Sequence, residues 1–588
     1  MVFACRVWPF LVALALCAQT QFLPLKDVRP GMRGIGRTVF SGDRVEEFQV
    51  EILGVMENVW PKQSLILARL SGGPLAKTGI LQGMSGSPVY IGGRLAGAVA
   101  MSFPFSKEPI AGIRPIEDML RPGPESRPKP ARTQVSLLGR DLTQVFPEPA
   151  SLMTGGSKLM DIATPITFGG FTRNTLDLFA PRLRALGLDP QQGATAGGRL
   201  ASRFGKPSDL QPGSMISIEL LSGDMSVGAD GTVTYIDGQK LYAFGHRLLS
   251  VGATELPFAR ADVLTVLPNL QSSFKISTPK EWMGTITGDR STAVSGRLGQ
   301  RAATVPVAIS VARSAGEAEK SAYRIEMVND RFLAPLLVQM CISSVLDATE
   351  RSMGAASFLV KGEIQFKGAA APLKIDDMYA GDLNTAMQAS LGVAAPLAYA
   401  LQSGFQSLEL KNISLNLEVF DAKRQLTIDR VWPSGREVRP GENVDLGVVL
   451  VGENGTEVVR KVTYRVPAGS ALGPLYFTVA DGAVTNLAEY RQFLSNPPKS
   501  VSQLVSFLNG LRTNTRAYVR VWRPAPAYNI EGENFPDPPP SAALILSRSE
   551  AAAGNLSPSQ NSKLAELEIG AGDMVITGSK TVQVEVKE

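Results

Sequence analysis

From residue 31 onward the chain is written in short stretches where every second residue is apolar. Each stretch is cut off by glycine. EEFQVEILGV breaks at Gly54, SLILARL follows, and PVYIGGRLAGAVAMSF turns back on itself at Gly92-Gly93. A side-chain period of two buries one face of a strand, and a Gly-Gly pair between two such runs is a hairpin turn. A chain patterned this way leans toward β structure. Its 57 glycines and 40 prolines agree, because breakers at that density leave little room for long helices. At 588 residues it is also too long for one core and divides into several domains.

The first residues, MVFACRVWPFLVALALCAQTQF, place Arg6 ahead of an apolar run from Val7 to Ala18, followed by polar Gln19 and Thr20. A basic start, a short apolar centre and a small-residue exit make a secretory signal over 1–20, cleaved or kept as an anchor. The expected location is therefore extracytoplasmic, in the periplasm or cell envelope. Membrane contact is expected only through this leader, if it is uncleaved. Cys17 suggests a lipoprotein, but Leu16 before it fits a small-residue lipobox poorly. Cys5 and Cys17 fall in the leader, and Cys341 lies in the apolar run FLAPLLVQMCISSVLDA, where a buried structural thiol is expected. No disulfide framework follows. A single histidine excludes a His-rich metal site, and no spaced Cys/His/Asp/Glu set is present, so neither metal nor other cofactor is expected. The net charge of +5 is spread along the chain without a basic stripe, which argues against nucleic acid as a partner.

Residues 21–120 read as a compact β-barrel closed by the short helix RPIEDML. The Pro- and charge-rich 121–150 is a linker. Residues 151–280 open with the strand ATPITFGG. A helix follows, capped by Asn174, running to Leu186 and stopped by Gly187, with a kink or break expected at Pro181. Short strands come next, with a hairpin turn at Asp237-Gly238. Residues 281–420 mix strands with helical runs near 332–347 and 383–402. From 421 to 588 the alternation in REVRPGENVDLGVVLVGENGTEVVRKVTYRVP indicates an immunoglobulin-type sandwich. In that region SVSQLVSFLNGL is a helix, and NFPDPPPS and SRSEAAAGNLSPSQNS are loops or disordered stretches.

Chemistry concentrates in GMSGSP, Gly83 to Pro88. A serine hydroxyl is a poor nucleophile until a base takes its proton and donors stabilise the oxyanion. Glycines here let the chain turn sharply and aim amides into one concavity. Ser85 is then the nucleophile, the amides of Gly83 and Ser85 the oxyanion hole, and Gly86 the position where a Cβ would obstruct substrate. Ser87, at the mouth of the next strand, is a support residue. The same hexapeptide also fits a plain β-turn ahead of a hairpin. The base would be the one imidazole, His246, in KLYAFGHRLLSVG. It sits at a strand-to-loop junction from which a side chain can reach a cleft. A lone histidine satisfied by a backbone carbonyl is the other reading.

Together these segments carry a family resemblance. RTVFSGDRVEEFQVEILGV, AKTGILQGMSGSPVYIGGRLAGAVA and RPIEDML resemble the serine domain of the SpoIVB-type peptidases, which are exported, chymotrypsin-like serine proteases. GTVTYIDGQKLYAFGH resembles that family's histidine segment. The resemblance implies Ser85 as nucleophile and His246 as general base. It also implies a mainly β fold with a permuted two-barrel protease region, since Ser85 here precedes the histidine. The family's acid has no counterpart in RLSGGPLAKTG. Asp224 in LLSGDMSVGADG is the first substitute, then Asp237 and Asp230, each also an ordinary turn residue, and a Ser–His dyad is the remaining option. LQPGSMISIELLSGD only faintly echoes a PDZ module. The expected activity is that of an exported serine endopeptidase acting on a protein or peptide in the cell envelope. The rival is a catalytically inactive envelope binding or assembly protein on a protease-derived scaffold. An esterase ranks last, because the strand–helix alternation of an α/β-hydrolase is missing.

Overall fold

A computed structural model describes residues 21–588 apart from 122–150, 155–156, 194–200, 314–320, 350–353, 496–497, 526, 531–532, 537, 549–555 and 560. The leader, and the linker beyond Arg121, lie outside the described residues. The fold is mainly β, with a closed six-stranded barrel near the N-terminus.

That barrel contains β1 (Arg33–Val39), β2 (Val45–Trp60), β3 (Gln63–Ser71), β4 (Pro88–Ile91), β5 (Arg94–Ser102) and β6 (Ile110–Pro115). Antiparallel pairing runs β1–β2–β3–β6–β5–β4 and closes from β4 back to β1. The alternation read in β2 places Phe48, Val50 and Ile52 inside. Gly36 is required opposite Phe48: a Cβ there would stand 2.1 Å from the phenyl ring. The Gly92-Gly93 pair turns β4 into β5 with both φ positive, as a tight hairpin demands. Helices α1 (Leu75–Thr78) and α2 (Ile116–Leu120) flank the barrel.

Residues 151–161 belong to this first sheet, not to the unit that follows. β7 (Ser151–Thr154) pairs with β8 (Ser157–Asp161), and β8 pairs with β5 through Met101 and Ser102.

The next strands are β9 (Thr164–Gly169), β10 (Leu188–Gln192), β11 (Ala201–Phe204), β12 (Met215–Gly223), β13 (Ser226–Asp237), β14 (Lys240–Ala243), β15 (Gly252–Leu267), β16 (Phe274–Arg290) and β17 (Ala293–Leu298). Six of them form a second antiparallel ring, β12–β13–β14–β17–β16–β15, closed by β15 on β12. The ring opens outward on both sides. β13 carries β9 and, through it, β10, while β12 carries β19 (Ser321–Val328). β19 leads on to β18 (Thr304–Arg313), β22 (Leu410–Phe420), β20 (Ala356–Phe366) and β21 (Leu373–Gly381). Residues 280 and 281 both fall inside β16, so the stretches read as 151–280 and 281–420 share one sheet. They also share one core, from Ile166 to Leu508.

The helix after β9, α3 (Arg173–Ala185), is capped by Thr172 rather than Asn174: the Thr172 hydroxyl accepts from the Thr175 amide at 3.3 Å. Asn174 instead donates to Asp347 at 2.7 Å. Pro181 does not end the helix, because Phe179 and Leu183 are buried on either side of it. Helices α4 (Leu333–Thr349) and α5 (Thr385–Leu401) cover the extended sheet.

Beyond residue 420, two further sheets face each other over one core that includes Leu446, Phe477 and Val519. Within NFPDPPPS and SRSEAAAGNLSPSQNS, residues 537, 549–555 and 560 lie outside the described residues, and short strands form among the rest. Glu533–Pro536 and Leu556–Ser559 both pair with Ala527–Ile530.

Candidate active site

The two rings are joined by direct backbone bonding. The far ends of β15 and β16 reach onto the first barrel, where Gly42 and Val263 exchange two 2.7 Å hydrogen bonds. The Gln82 amide donates to the Ser273 carbonyl at 2.9 Å. Val266, from the same hairpin, packs into the first barrel's core. This contact brings the GMSGSP turn against β13 and β14.

The turn is shaped by Gly83 (φ +85°) and Gly86 (φ +94°). Gly86 has a different constraint from the one its sequence suggests. A Cβ would lie 2.0 Å from the Thr232 carbonyl oxygen and 2.5 Å from the Phe244 nitrogen, so the space is taken by the second ring, not kept for substrate. Thr232 and Thr234 reach across: Thr232 Oγ1 donates to the Gly83 carbonyl at 2.8 Å, the Thr232 amide to the Ser85 carbonyl at 2.9 Å, and Thr234 Oγ1 to the Gly86 carbonyl at 2.7 Å.

His246 leaves β14 through Phe244 (φ +69°) and Gly245 (φ +69°). A left-handed conformation costs a residue with a Cβ about 1–2 kcal/mol, and a phenylalanine held there is strained. The strained turn lies against β5: a Cβ on Gly245 would stand 3.2 Å from Ala100 Cβ and 3.3 Å from the Val99 carbonyl oxygen. Gly86 donates to that same Val99 carbonyl at 2.8 Å. The serine and histidine turns therefore meet at the same residue of β5, Val99. On the far side, the Asp289 carboxylate accepts from the amides of Leu248, Leu249 and Val251 at 2.7, 2.8 and 3.2 Å, fixing the loop that follows His246.

His246 Nδ1 faces the Arg247 carbonyl at 2.7 Å. A carbonyl can only accept, so Nδ1 carries the proton and Nε2 keeps its lone pair, the form a general base needs. Burial holds the imidazole below the usual histidine value, and the nearby Asp161 charge pulls it part of the way back. Ser85 Oγ, Ser87 Oγ and His246 Nε2 are buried with no hydrogen-bond partner among the described residues. Ser85 is 0% and His246 2% exposed, so the site is closed in this conformation.

The structure does not bring Asp224 to His246. Asp224 is exposed at the turn before β13, where its carboxylate accepts from the Arg324 amide at 2.7 Å. The six residue steps from Ser226 to Thr232 along β13 put roughly 20 Å between that turn and the serine turn. Asp237 is exposed at the hairpin tip, and Asp230 is buried beneath the serine turn, accepting from Ser277 Oγ. The carboxylate whose charge reaches His246 is Asp161, which sequence reasoning missed. It is buried at the end of β8, opposite Met101, and its charge also acts on Arg114 and Arg247. Arg114 is buried over the Trp60 ring and donates to the Gly245 carbonyl at 3.4 Å. Nothing local marks Asp161. It arrives from beyond the linker only because β8 pairs with β5.

Among the described residues, no group of three or more His, Cys, Asp or Glu side chains is placed to hold a metal ion, and no helix is long and apolar enough to cross a membrane. The free thiol of Cys341 is buried in α4, which pushes it well above the usual cysteine value.

No curated protein matches the chain, and no solved structure does. A family match exists for the first barrel. Residues 19–120, the stretch that holds GMSGSP, match the SpoIVB peptidase S55 family, which supports a serine peptidase. Over its N-terminal barrel, then, the chain is similar to the SpoIVB-type peptidases of family S55.

Proposed function

We propose that the chain is an exported serine endopeptidase that cleaves an extracytoplasmic protein by acyl transfer at the meeting of its two rings, in a chymotrypsin-like arrangement with the serine unit first. Ser85 Oγ attacks the peptide carbonyl. His246 Nε2 takes the hydroxyl proton and returns it to the leaving amine. The Arg247 carbonyl holds the imidazole tautomer, and the Asp161 charge stabilises the imidazolium that forms, the part a triad acid plays. One observation carries the reading: Ser85 Oγ and His246 Nε2 stand unpartnered on two turns packed against the same residue of β5, Val99. A buried polar atom without a partner costs about 1–3 kcal/mol, a cost that catalysis explains and packing does not. Because both side chains are enclosed, the site must open before a polypeptide can enter.

The test is a fluorophosphonate probe on the full chain. Wild type should label at Ser85, Ser85→Ala should not label, and His246→Ala should label at least about a thousandfold more slowly. The labelling rate should fall with acidity at a midpoint below the free imidazole value of about 6.5, because burial disfavours the protonated ring. The enclosure of both side chains favours a second reading, an inactive envelope assembly protein on a protease-derived scaffold. A folded, exported chain that never labels would establish that one instead.

A further inference from the structure

The turn from Leu81 to Pro88 shows an asymmetry in how its peptide groups are held. The peptide joining Gly83 to Met84 is fixed at both ends, its carbonyl by Thr232 Oγ1 at 2.8 Å and its amide by the Leu81 carbonyl at 3.1 Å. The next fixed peptide, Ser85 to Gly86, is held by the Thr232 amide at 2.9 Å and the Val99 carbonyl at 2.8 Å. The peptide from Gly86 to Ser87 is held by Thr234 Oγ1 at 2.7 Å and the Met84 carbonyl at 2.9 Å. Two other peptides, Gln82–Gly83 before these and Met84–Ser85 among them, are held only at their carbonyls. Gln82 accepts from the Lys275 amide at 3.3 Å, and Met84 from the Ser87 amide at 2.9 Å. Their amides, those of Gly83 and Ser85, donate to nothing among the described residues although both residues are buried. Nearly every buried amide in a folded protein is paired, so two vacant ones, two residues apart and beside an unpartnered serine, are donors kept free for a developing negative charge.

Four of the bonds that hold this turn come from the second ring: the Lys275 amide, the Thr232 amide, and the hydroxyls of Thr232 and Thr234. Both hydroxyls are fully buried. We infer that Thr232 and Thr234 are positioning residues for catalysis, which set the oxyanion hole of the first barrel from the strand β13 that leads toward His246. The inference rests on the serine-peptidase reading and extends it: the second ring supplies the aim of the oxyanion donors as well as the base. A peptide plane held at both atoms cannot rotate. With Thr232 Oγ1 removed, the plane between Gly83 and Met84 keeps one bond, and the vacant Gly83 amide next to it loses its fixed direction. Rotation of that kind slows the step in which the oxyanion forms and leaves the base alone.

The experiment compares Thr232→Val, Thr234→Val and Thr232→Ser with wild type in the full chain, by two readouts. The first is the rate of fluorophosphonate labelling at Ser85, which passes through an oxyanion. The second is acylation of the chain's only histidine by diethyl pyrocarbonate, which needs no oxyanion hole. Thr232→Val is expected to slow labelling at least tenfold with its pH midpoint and the histidine acylation rate unchanged. Thr232→Ser, which restores the hydroxyl, should return the rate to within about threefold of wild type. Thr234→Val should slow labelling less than Thr232→Val and carries the test alone if Thr232→Val has no cooperative thermal transition. Labelling of the valine variants at the wild-type rate overturns the inference while leaving Ser85 as nucleophile. A parallel loss of histidine acylation also overturns it, by showing a general loosening instead of a lost aim. A wild-type chain that takes up the histidine reagent but never the serine probe removes the peptidase reading and this inference with it.

Discussion

The serine turn lies between two buried polar clusters that follow opposite rules. On one flank are Ser85, Ser87 and His246, whose reactive atoms have no partners among the described residues. On the other are Lys275, Asp230, Ser277, Ser217 and Thr38, from both rings, whose polar atoms bond to one another. Lys275 Nζ donates to Thr38 Oγ1 at 2.7 Å, and Ser277 Oγ donates to Asp230. The Lys275 side chain packs beside Gly83, where a Cβ would stand 3.3 Å from its Cδ. The same depth and the same residue types thus serve two ends. One cluster locks the rings together, and the other is held open.

The largest expected effect is on the locking side. Burial pushes the Lys275 ammonium down to about 7 and the Asp230 carboxyl up to about 6, with each opposite charge pulling the other back. Lys275→Met removes the countercharge and leaves Asp230 and Thr38 without it. It should cost about 3 kcal/mol in urea unfolding of the full chain. Adding Asp230→Asn should recover part of that loss. A Lys275→Met variant as stable as wild type would mean that the cluster locks nothing.

An effect that shows as a slope, smaller at any one step of pH, comes from Glu219 on β12. Its carboxyl sits against Gly228 and bonds to Ser217, and burial, chiefly, raises it to about 8. A raised carboxyl binds a proton in the folded chain that the unfolded chain has already released. Its contribution to stability is therefore complete below about 4.5 and is lost as the pH rises to about 8, at up to about 1.4 kcal/mol per pH unit. Glu219→Gln should flatten the stability profile across that window. An unchanged profile would show that Glu219 is ionised inside the ring and that this cluster is wetter than its burial indicates.

How much of this was legible in the sequence divides along the same line between local and non-local. The hairpin at Gly92-Gly93, the hairpin tip at Gly238 and the helices α4 and α5 are written in neighbouring residues, and they formed where the pattern put them. So did the tight turn around Ser85, because glycine next to serine and proline permits little else. Asp161 could not be read this way. Its neighbours, MDIATP, carry no motif, and its place near His246 depends on a strand pairing across the linker. Thr232 and Thr234 were likewise hidden, since in GTVTYIDG they are ordinary β-branched strand residues and only the docking of the rings turns their hydroxyls into clamps. Asp224 precedes His246 with only β13 and β14 between them. Along an extended strand, closeness in sequence becomes distance in space. The cap at Thr172 shows the same limit on a smaller scale: Asn174, the expected cap, is taken by a distant partner, Asp347.

The smallest predicted effect is the most direct test of the contrast, because it makes one chemical change on both flanks. Ser277→Ala removes a hydroxyl that donates to a buried carboxylate, and a hydrogen bond to a charged or buried acceptor contributes about 1.5–3 kcal/mol. That variant should lose stability by about this amount. Ser85→Ala removes a hydroxyl of the same size at the same depth, but one with no partner to lose. The desolvation cost of the orphaned oxygen then disappears, and the void left behind is smaller than a methyl group. The expected result is a stability equal to wild type or up to about 1 kcal/mol higher, with labelling abolished. Opposite signs for the two alanines, measured by urea unfolding at one pH, would mean that the chain gives up stability at Ser85 to keep a reactive atom free. Equal losses would mean that Ser85 is bonded in solution, and the turn would then be only a bend between strands.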